Sequence, residues 1–229
     1  MPPQDAPKYT PPRVPEARPG QRGSPRHVNR LRRTAALCEG ALDCFLRQGL
    51  DAVTIDHITR SAGTAKGSFY RYFDHKEQLV CTLFQPLGDA VSQALDDATN
   101  KLEAAQTPAA LIAAYEGLGG ALLPLMATHS DLIRLFLQER SGPPSPERAP
   151  LHTLERTVID HAVHMTLAAR THGLIRSDLN AQVSASVVVG AVFQLLHEQL
   201  RRPTPTPPIE AITTLIDLVL DGVRAKPRP

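Results

Sequence analysis

Apolar residues recur along this chain at three- and four-residue spacing, and every element that rhythm predicts is a helix. From about Asn29 to Gly49 they fall at Leu31, Ala35, Cys38, Ala41, Leu42 and Phe45, one face of a helix closed by a glycine. A short helix follows, with Thr54 as its N-cap and Ile55, Ile58 and Ala62 facing inward, until Gly63 breaks it. A second short helix is expected from about Ala65 to Tyr72. Asp74-His75-Lys76-Glu77 has the Asp-x-x-Glu form of a capping box, opening a long helix towards Asn100 with a kink at Pro86. Thr107-Pro108 starts a helix to about Thr128, kinked at Pro124, and Asp131 to Arg140 continues as another. After a proline loop over 141–150, helices are expected from Leu151 to Thr171, ended by Gly173, and from Ala181 to Arg201, apolar nearly all round. The stretch "RRPTPTPP" is a further proline loop before a last helix from Ile209 to Val223, with Ile212, Leu215, Ile216, Val219 and Val223 on one face.

No alternating strand pattern of useful length and no internal repeat interrupts this series, so the chain reads as all-α with about nine helices. Its 229 residues can bury a sizeable core, and 42% hydrophobic with 21% charged residues is ordinary for a soluble globular protein. No unbroken run of 18 apolar residues occurs, so no transmembrane helix and no membrane partner are expected. The Pro- and Arg-rich start has no apolar segment of the secretory kind. Three cysteines, at 38, 44 and 81, make an odd count without metal-ligand spacing, and a reduced, cytoplasmic chain is the simplest reading.

Charge sharpens the picture. The net charge is only +2, but residues 1–80 hold 13 Lys+Arg against 8 Asp+Glu, and the remainder 12 against 15. A basic first part suggests a polyanion partner. Residues 1–26 read as a disordered arm rich in proline, and Arg13, Arg18, Arg22, Arg26, Arg30, Arg32 and Arg33 lie spaced along it and just beyond. Such an arm can follow a DNA backbone or enter its minor groove.

The basic excess coincides with an aromatic cluster. Of ten Phe and Tyr residues, four are Phe69, Tyr70, Tyr72 and Phe73. Two short helices joined at a glycine are the helix-turn-helix arrangement. Thr59 is small where the helices must approach, Gly63 sits at the turn, and Phe69 plugs the space between them. The second helix begins with the thin-sided residues Thr64, Ala65, Lys66, Gly67 and Ser68, which let a backbone approach base edges and phosphates. Phe69, Tyr72 and Phe73 are expected in the core and Tyr70 at DNA.

With these residues in place, the stretch 37–79 resembles the N-terminal signature of the tetracycline-repressor (TetR) family of transcriptional regulators. The matching positions are Ala41 and Phe45, Gly49 and Thr54, then Gly63, Lys66 and Gly67, then Tyr70 to Phe73 and Lys76 to Leu79. Thr59 and Thr64 depart from the usual alanine and valine. The resemblance implies a three-helix DNA-binding domain over 27–80 and an effector-binding and dimerisation domain over 81–229. It implies DNA contacts from Thr54, Thr64, Ala65, Lys66, Gly67, Ser68, Tyr70, Arg71 and Lys76, with Lys66, Ser68 and Arg71 nearest the bases and Thr54, Tyr70 and Lys76 at phosphates. The expected partners are a pseudo-palindromic duplex, a second copy of the chain and a small, largely apolar effector.

For that effector, Phe84, Val91, Tyr115, Leu122, Met126, Phe136, His161 and Met165 are the candidate lining residues, with ordinary core packing as the alternative for each. His161 and His164 share a helix face, but no thiol or carboxylate is placed to complete a zinc site, so neither metal nor cofactor is expected. "GLGG" at 117–120 lacks the strand a dinucleotide loop requires. No nucleophile–base pair or carboxylate pair occurs in a catalytic context, so an enzyme is not expected. A DNA-binding protein whose second part only dimerises or takes a protein partner remains the alternative.

Overall fold

A computed structural model describes residues 25–173 and 175–201, together with isolated positions between 210 and 218. The arm before Pro25 and most of the expected helix over 209–223 lie outside the described residues. Every extended element described is a helix: α1 Pro25–Ala52, α2 Ile55–Ser61, α3 Lys66–Phe69, α4 Lys76–Glu103, α5 Pro108–Thr128, α6 Ser130–Glu139, α7 Ala149–Thr171 and α8 Ala181–Arg201. A short 3-10 turn at Pro146–Arg148 precedes α7. The chain divides into two compact units, 1–83 and 84–229, and α4 runs through the division.

In the first unit, the buried face of α1 is Leu37, Ala41, Cys44 and Phe45. Leu31 (57% exposed) and Ala35 lie outside this core, although they continue the same apolar rhythm. Helix α1 also starts earlier than its apolar pattern suggests, at Pro25, and Arg30, Arg32 and Arg33 all lie within it. Leu50, Val53, Ile58, Phe69, Phe73, Leu79 and Val80 complete the core.

The approach of α1 to α2 is set by Gly40. A Cβ built there would stand 2.9 Å from the backbone nitrogen of Ala62, so only glycine lets the two helices cross this closely. Cap chemistry fixes α2. The Thr54 hydroxyl accepts from the His57 N–H at 3.3 Å, and His57 Nδ1 accepts from the Thr54 N–H at 3.4 Å. This is a capping box with histidine in the place usually taken by Glu or Gln.

At the start of α4 the expected Asp74/Glu77 box does not form. Gln78, buried, accepts the Asp74 N–H with its side-chain oxygen at 2.7 Å, while Glu77 turns to His75 at 3.4 Å. Pro86 and Pro124 both lie inside their helices.

In the second unit, α4, α5 and α7 share a cluster of Ala98, Leu102, Leu111, Ala114, Met165 and Ala169. Helices α6 and α8 meet through Phe136 and Phe193, edge to face with centroids 5.3 Å apart, and the Arg140 guanidinium sits 4.7 Å over the Phe193 ring. Arg148 and Glu139 form a buried ion pair at 2.7 Å that fastens the 3-10 turn to the end of α6. By length and composition, α5 and α8 are apolar enough to cross a membrane, although no membrane span was expected. Glycine, serine and glutamine break up their apolar runs and hide this average in a search for unbroken stretches. Both helices pack on neighbours, α5 on α6 and α8 on α7.

Candidate nucleic-acid interface

Three local decisions position the helix-turn-helix surface. Gly63 takes a φ of +61°, the left-handed value that lets the chain leave α2 without Cβ strain. Thr59 is buried, and its hydroxyl is 3.4 Å from the Asp56 carbonyl, so threonine serves where a small apolar residue would. Phe69 is fully buried and packs on Phe73 at 5.5 Å, anchoring α3 from below.

Helix α3 is a single turn, shorter than the expected 65–72 segment. Beyond Phe69 the backbone tightens, with the N–H groups of Tyr72 and Phe73 both donating to the Phe69 carbonyl at 2.9 Å. Gly67 and Ser68 supply little helix propensity, and the Phe69 anchor fixes where the turn ends. The aromatic cluster divides as its spacing suggests. Phe69 and Phe73 are core, Tyr70 is 52% exposed, and Tyr72 is half-buried at the edge of a small cleft.

Around this anchor, Thr54, Ala65, Lys66, Gly67, Tyr70 and Arg71 are exposed, and Thr64 and Ser68 are half-buried. Lys66 is not isolated. Its ammonium lies 3.0 Å from Asp56 on α2, and that hydrogen bond and charge raise its pKa. The contact is open to water, so DNA phosphate can compete for it.

Lys76 is placed differently from its neighbours. It is half-buried, and its Nζ donates to the Leu50 carbonyl at 2.7 Å and the Val53 carbonyl at 3.1 Å. It ties the start of α4 to the α1–α2 connection.

Two further residues belong to the arrangement. Arg33 on α1 borders the cleft of about 90 Å³ that also takes in Gly63, Thr64, Ser68 and Tyr72. It stands one and two turns before Leu37 and Gly40 on the same helix face, a signal available in the sequence. Asp56, the partner of Lys66, gave no such signal, because its position depends on the angle between α2 and α3.

The residues expected to line an effector cavity scatter. Phe84, Phe136 and Met165 are buried core. Tyr115 packs against the cluster that holds Met165, and burial pushes its hydroxyl up to about 12. Val91, Leu122 and Met126 are half-buried. His161 is half-buried with Nε2 3.6 Å from Asp96. A half-open groove of about 540 Å³ lies instead between α6 and α8, and none of those eight residues lines it. No group of three metal-ligating side chains occurs among the described residues. Cys38, Cys44 and Cys81 form no disulfide among the described residues, and burial, helped by Glu39, pushes Cys38 up to about 12.

Residues 37–81 match the family model described as "Bacterial regulatory proteins, tetR family". The HTH-type transcriptional regulator SrpR of Pseudomonas putida is 27% identical over 184 residues, covering 72% of this chain and 74% of that protein. Among solved structures, a SmeT–triclosan complex superposes with a TM-score of 0.68 at 16% identity, covering 86% of this chain and 93% of that one. The fatty acid degradation regulator FadR from Bacillus halodurans gives a TM-score of 0.64 at 14% identity, covering 83% and 99%.

Proposed function

Because residues 37–81 match the tetR family of bacterial regulatory proteins, we propose that the chain is a member of that family and a homodimeric repressor of transcription, released from its operator by a small molecule. The observation that carries the reading is the first unit's surface. A buried Phe69 and a left-handed Gly63 hold up one short turn whose outward residues are small, cationic or hydroxylic. Lys66, Ser68 and Arg71 meet base edges, while Thr54, Thr64, Ala65, Gly67 and Tyr70 approach the sugar-phosphate backbone. Arg33 adds a cation beside Thr64 and Ser68. Lys76 supports this surface from behind through its two carbonyl contacts.

Two such heads require two chains. Val183 and Val187, 60% and 64% exposed, and Leu195 form an apolar row along α8 suited to a second copy. A dimer then reads an inverted repeat with half-sites about one helical turn apart. Release follows if an effector binds better to the conformation whose heads do not fit that spacing. SmeT, which shares this fold, was solved with triclosan, and that supports a small-molecule effector here. A second reading gives the 84–229 unit no effector, and the burial of Phe84, Phe136 and Met165 favours it. Effectors shift operator affinity in the first reading only.

Selection of bound duplexes from a random DNA library tests the proposal. The expected outcome is one enriched inverted repeat whose enrichment disappears in Ser68→Ala/Arg71→Ala. Enrichment of unrelated sequences, or of none, contradicts it.

A further inference from the structure

The groove between α6 and α8 is lined by Arg134, Leu137 and Gln138 from one helix and His197, Leu200 and Arg201 from the other. Its volume of about 540 Å³ lies within the roughly 300–1,000 Å³ range of small-molecule pockets. Leu137 is buried and Leu200 half-buried, so the walls offer an apolar strip, and both arginines are exposed beside it.

The charges are unbalanced. Arg140 and Arg148 each hold a carboxylate, Glu155 at 2.6 Å and Glu139 at 2.7 Å, but Arg134 and Arg201 have no ion-pair partner among the described residues. Acidic neighbours do not lower this excess by direct pairing. Glu139, next to Gln138, is paired with Arg148, and Glu198 accepts from Gln194 at 3.1 Å. Asp131 shares α6 with Arg134 but does not line the groove. His197 and Gln138 line the same groove and add polar side chains to it.

Two unpaired guanidinium groups over an apolar strip recognise one ligand chemistry, a charged head on a short hydrocarbon body. We infer that this groove binds a small amphipathic anion, a carboxylate or phosphate head between Arg134 and Arg201 with its tail along Leu137 and Leu200. This inference rests on the reading of the 84–229 unit as effector-binding, and it replaces the largely apolar effector expected from the sequence. The sequence expectation placed the cavity among helices whose apolar faces close on each other. The open space lies where α6 and α8 part beyond the Phe136–Phe193 contact.

Calorimetric titration of the full chain with octanoate, octyl phosphate and 1-octanol tests this, with operator binding of the same preparation measured alongside. One equivalent of at least one anion is expected to bind, and 1-octanol at least tenfold more weakly. Comparing octanoate with octyl phosphate identifies the preferred head. Arg134→Gln and Arg201→Gln are each expected to weaken the anion roughly tenfold, the scale of one charged hydrogen bond, without altering the molar mass in solution. Equal binding of alcohol and anion overturns the inference, as does anion binding that neither substitution weakens. A change of molar mass in either variant also overturns it, since the groove is then a contact between subunits. Intact operator binding with no anion binding sinks this inference alone, whereas loss of operator binding sinks the repressor reading and leaves the titration to be judged on its own.

Discussion

Lys76 separates two accounts of one residue. The family resemblance places it at a phosphate, while the structure seats its ammonium on the Leu50 and Val53 carbonyls at 2.7 and 3.1 Å. Lys76→Met keeps the aliphatic stem and removes the charge. Hydrogen bonds from a charged donor contribute about 1.5–3 kcal/mol each. Because these two share one donor and sit in a half-buried site, their joint loss should cost about 2–4 kcal/mol. Urea unfolding of the full chain, followed by circular dichroism, should show a lower midpoint at an unchanged slope. The salt dependence of operator binding should keep its log–log slope, because no phosphate contact has been removed. A phosphate-binding Lys76 gives the opposite pair, normal stability and a slope smaller by about 0.9. That pair of results would refute the supporting role.

Three other perturbations follow from the geometry. Gly40→Ala drives a Cβ to 2.9 Å from the Ala62 nitrogen and should cost about 1–3 kcal/mol by chemical denaturation, with operator affinity falling as α2 shifts. Glu139→Gln removes the carboxylate paired with the buried Arg148 guanidinium and should cost about 3–5 kcal/mol, while Glu139→Leu with Arg148→Met recovers most of that in a double-mutant cycle. Burial raises the Tyr115 hydroxyl to about 12, so the unfolded chain ionises first. Its contribution is therefore complete below pH 10 and is lost as pH climbs through about 12; thermal midpoints of Tyr115→Phe should fall less steeply over that window.

The helix-turn-helix surface was legible because its determinants are local. Thr54, Gly63 and Phe69 each act within a few residues of their own position, through a cap, a turn and a plug, and all three do so in the fold. The limits of α1 were less legible, since Leu31 and Ala35 continue the apolar rhythm but are exposed. The second unit defeats sequence reading for a different reason. A methionine or phenylalanine at helical spacing looks the same whether its helix closes on a neighbour or opens onto a cavity, and Met165 and Phe136 turned out to be closed. Arg134 and Arg201 read as surface charges until α6 and α8 bring them to one groove. Lys76 was less legible in a third way. A lysine at a helix start suits a phosphate, but nothing local reveals that the Leu50 and Val53 carbonyls wait beside it.

The central claim is that the 37–81 segment reads DNA. Fluorescence anisotropy of the full chain on the duplex upstream of its own coding sequence, on duplexes from the library selection and on an unrelated control, across a salt series, tests it most directly. The account predicts selective binding to at least one inverted repeat. Its log–log salt slope should be several units, as multiple phosphate contacts demand, and Ser68→Ala/Arg71→Ala should reduce binding to the level of the control. Absence of binding to every duplex at low salt, with the chain folded and dimeric, would contradict it.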